Sequence, residues 1–266
     1  MRAVSGKSSS TATILTVTRK AAALLAAVAF LAGWTWRSPH AVVRVPILMY
    51  HLVGQLHPGN HGYTIRLTIS TARFRAEMDW LHREGYHAIS MQRLYDALER
   101  GAALPKKPVM ITFDDGYRDV LWNAAPILYR MHMPATAFVI TGRISGRDPS
   151  FLTWPELGLL ERRGFTIGSH TVHHSELPLL TAAQARYELV RSRLALQTHL
   201  HREVRWFAYP AGRFDPAAVR LVQRAGYYLA FTTRPGDVQR TPLLLHRDEI
   251  LATTSVSQLA ALVGSG

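Results

Sequence analysis

The sequence predicts an α/β fold in which parallel strands form a barrel or an incomplete barrel, with helices on the outside. Three observations support this fold class. Short apolar runs alternate with amphipathic stretches from residue 45 onward, as β and α units do. About seven of these runs fit into the rest of the chain, which suits a barrel better than a long open sheet. No Gly-x-Gly-x-x-Gly pattern follows the first run, which argues against a dinucleotide-binding sheet.

Composition narrows the chemistry that the chain can perform. Its 266 residues include 48% hydrophobic and 18% charged side chains, as expected of a globular protein. There is no cysteine, so disulfides and thiolate chemistry are excluded, and any metal must be held by His, Asp or Glu. The net charge of +13 suits a solvated Arg-rich surface that can lie against anionic lipid headgroups. No recognition-helix or stacked-aromatic pattern accompanies this charge, and we expect no nucleic-acid partner.

Residues 1–40 predict a basic cytoplasmic tail followed by a hydrophobic segment. Arg19 and Lys20 precede an uncharged run at residues 21–36, which ends near two tryptophans of the kind that anchor helices at a membrane interface. Because the run lacks an Ala-x-Ala cleavage pattern, we expect a membrane anchor, with a cleaved signal peptide as the alternative. Either outcome places residues 41–266, one predicted domain, outside the cytoplasm, anchored in the membrane or secreted or periplasmic after cleavage.

Strands and helices alternate in this domain, and most helices have readable ends. Ser70, Ser90 and a Thr181-x-x-Gln184 capping box start helices, while Gly101 ends one. The predicted strands cover residues 46–50, 87–90, 109–113, 135–141, 165–169, 205–209 and 228–232. The predicted helices cover about residues 71–84, 91–100, 119–131, 154–163, 181–201 and 215–226.

Two adjacent carboxylates, Asp114 and Asp115, follow the strand at residues 109–113 and precede Gly116, which permits a sharp turn. The loops that leave the carboxyl ends of barrel strands carry the chemistry of such folds. Neighbouring carboxylates repel each other and are stable only when a cation or separate partners hold them. The structural alternative is that one Asp caps the next helix while the other is solvated.

Histidines follow the strand at residues 165–169 in the same way. His170 and His174 are four residues apart, a spacing that directs both imidazoles to one side of a helix-like turn. A plain polar loop is the alternative. Together with one Asp of the preceding motif, however, the two histidines predict a divalent-metal site with open positions. The second Asp is then free to act as a base on a water bound to the metal.

Two further patterns are weaker when taken alone. The strand at residues 205–209 runs into a Pro-Gly turn, whose backbone N–H groups can face a developing oxyanion. The apolar pair Leu244 and Leu245 is followed by His246, which can act as a general acid or be a half-buried structural histidine.

In this order, the four motifs resemble those of the polysaccharide deacetylase family, also called the NodB-homology or carbohydrate esterase family 4 domain. The run TFDDG at residues 112–116 looks like its first motif, and HTVHH at residues 170–174 looks like its second. The resemblance spans about residues 45 to 262 and implies a distorted (β/α) barrel that makes 41–266 the catalytic domain. It implies that Asp114 is the catalytic base, His246 the catalytic acid and Ala211 the oxyanion donor. It also implies a divalent metal whose ligands are Asp115, His170 and His174. Zinc is the first choice for this metal, with cobalt, nickel or iron as alternatives.

The opening residues 45–53 and the run FAYPAG at residues 207–212 are similar to the branch that deacetylates poly-β-1,6-N-acetylglucosamine in biofilm matrices. The sequence departs from the family at Ala208, where members usually carry an Arg that orients the base, and it has no match to the family's Asp-Trp motif. Ring-bearing candidates for sugar contacts are Tyr50, His51, Tyr117, Trp154 and Tyr209, and the favoured alternative for each is a position in the core or at the rim.

The predicted function is metal-dependent hydrolytic N-deacetylation of an N-acetylglucosamine-containing polysaccharide, with poly-β-1,6-N-acetylglucosamine favoured. Alternative acyl substrates are chitin-like polymers, peptidoglycan and lipid-linked amino sugars, the last favoured by the predicted anchor. A non-catalytic polysaccharide-binding module is the alternative from another class. The missing Arg favours that module, while the intact Asp-Asp and His pairs oppose it. The resemblance also implies exopolysaccharide-export proteins as candidate partners.

Overall fold

The computed structural model describes residues 40–56, 62–144 and 146–264. The predicted anchor or signal segment lies outside these residues. Within the described part of the chain, no helix is long and apolar enough to cross a membrane.

Seven parallel strands form one curled sheet, which confirms the predicted distorted (β/α) barrel. The strands are β1 (Val43–Arg44), β2 (Ile47–Tyr50), β3 (Leu52–Val53), β4 (Thr68–Ile69), β5 (His87–Ala88), β6 (Pro108–Phe113), β7 (Ala135–Val139), β8 (Phe165–Ser169), β9 (Trp206–Ala208), β10 (Leu229–Phe231), β11 (Val238–Gln239) and β12 (Asp248–Glu249). Their order in the sheet is β10-β9-β8-β7-β6-β2-β12, and β5 pairs in addition with β6. Two small pairs, β1 with β11 and β3 with β4, lie outside this sheet.

Helices connect the strands and cover the outer face of the sheet. They are α1 (Gly62–Leu67), α2 (Thr71–Arg83), α3 (Met91–Arg100), α4 (Ala125–Arg130), α5 (Trp154–Arg162), α6 (Ala182–Leu200), α7 (Pro216–Arg224) and α8 (Val256–Val263). All six predicted helices are present, although a π-helical turn at Val120–Ala124 precedes α4. The sequence did not predict α1 and α8, because segments of six and eight residues show too little periodicity.

Alternation of side chains along the strands divides the apolar residues into two layers. Residues of one parity, such as Ile47, Met110 and Phe138, point into the barrel and pack together with side chains of α3. Residues of the other parity, such as Leu48 and Ile111, pack beneath the outer helices. The parity of a residue in its strand therefore decides whether its side chain enters the barrel.

The two edge strands of the sheet, β10 and β12, are brought together by residues 245–249, a segment that ends with β12 itself. Leu245 forms a parallel bridge with Phe231 of β10. Three residues later, Asp248 pairs with Leu48 of β2. This last segment, residues 245–249, closes the barrel, and we call it the closing segment.

Candidate active site

The mouth of the barrel brings together the carboxylates and histidines of the two predicted motifs. Asp114 and Asp115 follow β6 and His170 follows β8, so they lie at the carboxyl ends of parallel strands. Nε2 of His170 lies 3.5 Å from Oδ1 of Asp115, and Nε2 of His174 lies 3.6 Å from the same oxygen. The ligand atoms of these two histidines and Asp115 all lie within 4.8 Å of one another. This spacing makes the three residues a candidate metal site.

The two histidines meet through an irregular turn and not through the helix-like turn that their spacing suggested. Thr171 and His174 have left-handed backbone conformations, with φ of 67° and 61°, and Asp115 has φ of 72°. A residue with a Cβ adopts this region at a cost of about 1–3 kcal/mol, and such strain is concentrated at functional sites. The surrounding contacts must therefore hold the turn in place.

Burial keeps both imidazoles of the candidate metal site neutral. Desolvation lowers the pKa of His170 to about 3 and also lowers the pKa of the more exposed His174. Nδ1 of His170 lies 2.8 Å from the carbonyl oxygen of Ala208 at the end of β9. An N–H at Nδ1 that donates to this carbonyl leaves a free lone pair on Nε2, as in histidines that bind metals.

Asp115 completes the donor set. Burial and the neighbouring Asp114 raise the pKa of Asp115 to about 7, although a hydrogen bond from the Tyr117 hydroxyl opposes the shift. The buried Oδ1 of Asp115 has no hydrogen-bond partner among the described residues. A divalent cation would satisfy this oxygen and the two free imidazole nitrogens together. One oxygen and two nitrogens suit zinc as well as cobalt, nickel and iron, so the residues present fit a divalent metal.

We expect His170→Ala to remove bound zinc, because the variant loses one of three protein ligands. His82→Ala is the matched control, since His82 is an exposed histidine on α2 and should leave the metal content unchanged. Metal content of the purified proteins, measured by atomic emission after zinc loading, checks the expectation. Equal zinc content in the two variants would remove His170 from the ligand set.

Zinc affinity is expected to rise with pH up to about 7 and then to level off, because Asp115 must lose its proton before it binds metal. Below that pH, the affinity should fall by up to about tenfold for each pH unit. The histidines contribute little to this slope, since the pKa of each is lowered. Competition with a chelator of known affinity from about pH 5 to pH 8 measures the profile. A flat profile over this range would contradict the assignment.

The second carboxylate, Asp114, is paired with a cation from the far end of the chain. Nη1 and Nη2 of Arg247 donate to the two oxygens of Asp114, each over 2.7 Å. Arg247 is fully buried, its Nε donates to the carbonyl oxygen of Thr232, and the rings of Phe138 and Phe231 flank its guanidinium. Burial raises the pKa of Asp114, but the charge and hydrogen bonds of Arg247 outweigh it and hold the pKa at about 2. Asp114 is therefore ionised and fixed in orientation.

Members of the resembled family usually carry at position 208 an Arg that orients the base. In this chain, Arg247 supplies that positive charge beside Asp114 instead. Ala208 points into the barrel from β9 and carries no charge. Arg247 is not among the predicted site residues, although its place in the sequence carries a signal. Leu245 and Arg247 share a parity in the closing segment, and both are fully buried. A cation at the inward parity of an apolar strand requires an anionic partner inside the barrel.

The other two predicted histidines have different surroundings. His51 follows β2, is 5% exposed, and its Nδ1 has no hydrogen-bond partner in the described part of the chain. Burial lowers the pKa of His51 to about 4, against the opposing charge of Asp114. His246 has the same parity as Ile250, which packs beneath the outer helices, so the His246 ring points away from the barrel interior. Gly236 lies against this ring: a Cβ added at Gly236 would be 3.0 Å from Nδ1 of His246. Of these two histidines, His51 is the one whose imidazole interacts with Asp114. The role of His246 as general acid stays a prediction.

Three of the predicted sugar contacts are structural residues. Tyr50 and Tyr209 are fully buried in the layer beneath the outer helices, because their parity in the strand directs them away from the barrel. Trp154 stacks on His199, with ring centroids 3.7 Å apart. The core or rim alternative therefore describes where these three rings lie, and a sugar contact at any of them stays a prediction. Ala211, by contrast, lies exposed in the turn Pro210–Gly212 with φ of 52°.

A groove of about 1090 Å³ is lined by Tyr117 but not by Asp115, His170 or His174. Tyr117 is its link to the candidate metal site, because the Tyr117 hydroxyl lowers the pKa of Asp115 by hydrogen bonding, while its ring stacks on Phe151 at a centroid distance of 4.9 Å. Trp122, which the sequence analysis did not single out, also lines the groove and is 53% exposed. Aromatic faces of this kind suit the apolar faces of pyranose rings.

Comparison with known proteins agrees with the fold and the motifs. The family model for polysaccharide deacetylases matches residues 101–230. The YxkH protein of Bacillus subtilis (strain 168), which carries the name of a polysaccharide deacetylase, is 31% identical over 232 residues, covering 86% of this chain and 80% of the relative. A poly-beta-1,6-N-acetyl-D-glucosamine N-deacetylase of Staphylococcus epidermidis (strain RP62A) is 24% identical, covering 77% of this chain and 80% of the relative.

Solved structures show the same architecture. The Streptococcus pyogenes deacetylase PplD, in complex with acetate, has a TM-score of 0.77 and 29% identity, covering 84% of this chain and 99% of PplD. IcaB from Ammonifex degensii has a TM-score of 0.72 and 26% identity, covering 83% of this chain and 97% of IcaB. An α/β barrel with paired carboxylates and histidines at its mouth defines a hydrolase of the deacetylase class. The chain belongs to the polysaccharide deacetylase family.

Proposed function

We propose that the protein hydrolyses the acetamide groups of N-acetylglucosamine residues in a polysaccharide, with poly-β-1,6-N-acetylglucosamine as the favoured substrate. The observation that carries this proposal is the presence, at one barrel mouth, of a candidate metal site and a separate, ionised carboxylate. The choice of polymer is supported by relatives that are named as deacetylases of that polymer.

Asp114 acts as the base in this proposal. Its carboxylate is ionised and held by Arg247, so it can accept a proton from the water that attacks the acetamide carbonyl. A divalent metal held by Asp115, His170 and His174, zinc first, would polarise this carbonyl and make the water more acidic.

Two groups act when the carbon–nitrogen bond breaks. The backbone N–H of Ala211, in its exposed turn, donates to the oxyanion that develops on the acetamide. The proton that Asp114 takes from water then moves to the free Nδ1 of the neighbouring His51, and the imidazole in turn gives up a proton to the leaving nitrogen, so that Asp114 is ionised again. His246 is the second choice for this acid, because its ring has the outward parity. The products are acetate and a glucosamine residue with a free amine.

The groove provides room for sugar units on one side of the reacting acetamide. Its aromatic lining, with Tyr117, Trp122 and Phe151, suits a chain of pyranose rings. Contacts to neighbouring sugars would position the acetamide over the candidate metal site and supply orientation.

We also propose an extracytoplasmic location, with the N-terminal segment as a membrane anchor or as a signal peptide that is removed. Exopolysaccharide-export proteins would be partners at that location. The support for the location is the charge and hydropathy pattern of residues 1–40, and the support for the partners is the family resemblance alone.

The test is release of primary amine from acetylated β-1,6-glucosamine oligomers by the full chain in detergent. We expect release that a chelator abolishes and that added zinc or cobalt restores, with β-1,4-linked oligomers as the comparison for linkage. No release from a protein with bound zinc would favour another acyl substrate or a binding module. A protein that binds no divalent metal would contradict the proposal.

A further inference from the structure

One buried carboxylate outside the barrel is bonded to the turn that carries His174. Glu188 lies on α6, is 6% exposed, and shares the buried face of that helix with Ala185 and Leu189. A carboxylate in such a position is costly unless hydrogen bonds satisfy it. Its partners therefore indicate what it does.

Among the described residues, the hydrogen bonds of Glu188 go to two consecutive residues of the turn. One carboxylate oxygen accepts hydrogen bonds from the backbone N–H groups of Val172 and His173, both over 2.9 Å. The other oxygen lies 2.7 Å from Nδ1 of His173. Two adjacent N–H groups that converge on one anion form a concave anion site, which irregular backbone of this kind produces.

The contacts of Glu188 fall between the two left-handed residues of the turn, Thr171 and His174. His170 has its own support, because its Nδ1 is bonded to the carbonyl oxygen of Ala208. Within the described residues, the His174 ring is recorded in no hydrogen bond and faces only Asp115 among the ion pairs. The His174 ring also meets the His170 ring edge-on at a centroid distance of 4.8 Å, so besides that contact its direction depends on the backbone of the turn, which Glu188 holds.

We propose that Glu188 is a positioning residue for metal binding, which fixes the strained turn and so directs the imidazole of His174 toward Asp115 and His170. It touches neither metal nor substrate. The inference rests on the proposed function in one respect, that these three residues bind a divalent metal. Replacing a side chain that orients a metal ligand without binding the metal itself typically lowers metal affinity by about 10- to 100-fold.

The experiment compares Glu188→Gln with Glu156→Gln in the full chain. Glu156 is a matched control because it is also 6% exposed and also accepts a backbone N–H bond, from Thr153, but it closes the capping box of α5 and pairs with Arg118 instead of bonding to the turn that carries His174. Zinc affinity is measured by competition with a fluorescent chelator. In the metal-free protein, hydrogen exchange of the Val172 and His173 amides and the melting temperature are measured as well.

We expect Glu188→Gln to weaken zinc binding by about 10- to 100-fold and to speed exchange of the two amides in the metal-free protein. Glu156→Gln should lower the melting temperature without a change in zinc affinity. If Glu188→Gln fails to fold, Glu188→Asp decides, because its shorter side chain keeps the charge but cannot reach all three partners.

Zinc affinity equal to that of the wild type in a folded Glu188 variant would overturn this role alone. Equal losses of affinity in the Glu188 and Glu156 variants would also overturn it, since they would indicate general destabilisation. A wild-type protein that binds neither zinc nor cobalt would instead contradict the proposed function, and the role of Glu188 with it.

Discussion

Asp114→Asn is expected to lower the rate of acetate release by about 10²- to 10⁴-fold while zinc remains bound. Asn has nearly the same shape as Asp but cannot accept the proton from water. The three candidate ligands are other residues, so the metal site should survive the change. Acetate release at saturating oligomer, together with zinc content of the same sample, measures both parts of the expectation.

The control for this variant is Asp96→Asn, which replaces a partly exposed carboxylate on α3 that bonds to Arg100. It should retain activity. The Asp114 variant also leaves the guanidinium of Arg247 without its anion, so its melting temperature must be recorded to separate lost chemistry from lost structure. Full activity in a folded Asp114→Asn protein would rule out Asp114 as the base.

Arg247→Met is expected to lower the free energy of unfolding by about 3–5 kcal/mol, which would leave a domain of ordinary stability close to unfolding. The change removes one member of a pair whose side chains are 0% and 3% exposed. Asp114 would then be an unpaired charge in the barrel, and burial would raise its pKa because the opposing cation is gone. Urea denaturation at neutral pH measures the loss.

Two further variants separate the charge pair from general packing. Arg100→Met removes an exposed i,i+4 partner of Asp96 and should cost about 0.3–0.5 kcal/mol. The double variant Asp114→Asn, Arg247→Met has no buried charge at this position and should be more stable than Arg247→Met alone. A loss for Arg247→Met as small as that for Arg100→Met would mean that the pair contributes little to stability.

Much of the barrel could be predicted from the sequence, because its strands are short apolar runs between helices with clear caps. Ser70, Ser90 and Thr181 cap helices in the structure, as their positions indicated. The short strands β3, β4, β11 and β12 could not be predicted. Each has two residues, too few for any periodic pattern, and each exists because tertiary contacts place it beside a partner.

The residues of the candidate site could be predicted where a local sequence motif contains them. They could not be predicted where the direction of a side chain decides whether it reaches the site. Asp115, His170 and His174 meet as their motifs suggested. Tyr209 had two open alternatives, a sugar contact or the core, because its position next to a turn does not say which layer its ring enters; the structure places the ring beneath the outer helices. Arg247 was overlooked because its partner is 133 residues away, and sequence spacing carries no information on a contact of that range.

The closing segment contains Arg247, so the carboxylate of Asp114 gains its ion-pair partner only when the barrel is complete. Until residues 245–249 dock between β10 and β2, the barrel is open and Asp114 has no guanidinium to face, so its carboxylate must stay in water. A chain still emerging from the ribosome can form earlier β and α units, but its centre stays wet until the C-terminal part arrives. Under the proposed function, acetate release would thus report on the final step of folding, since the proposed base Asp114 is held by Arg247 only in the closed barrel.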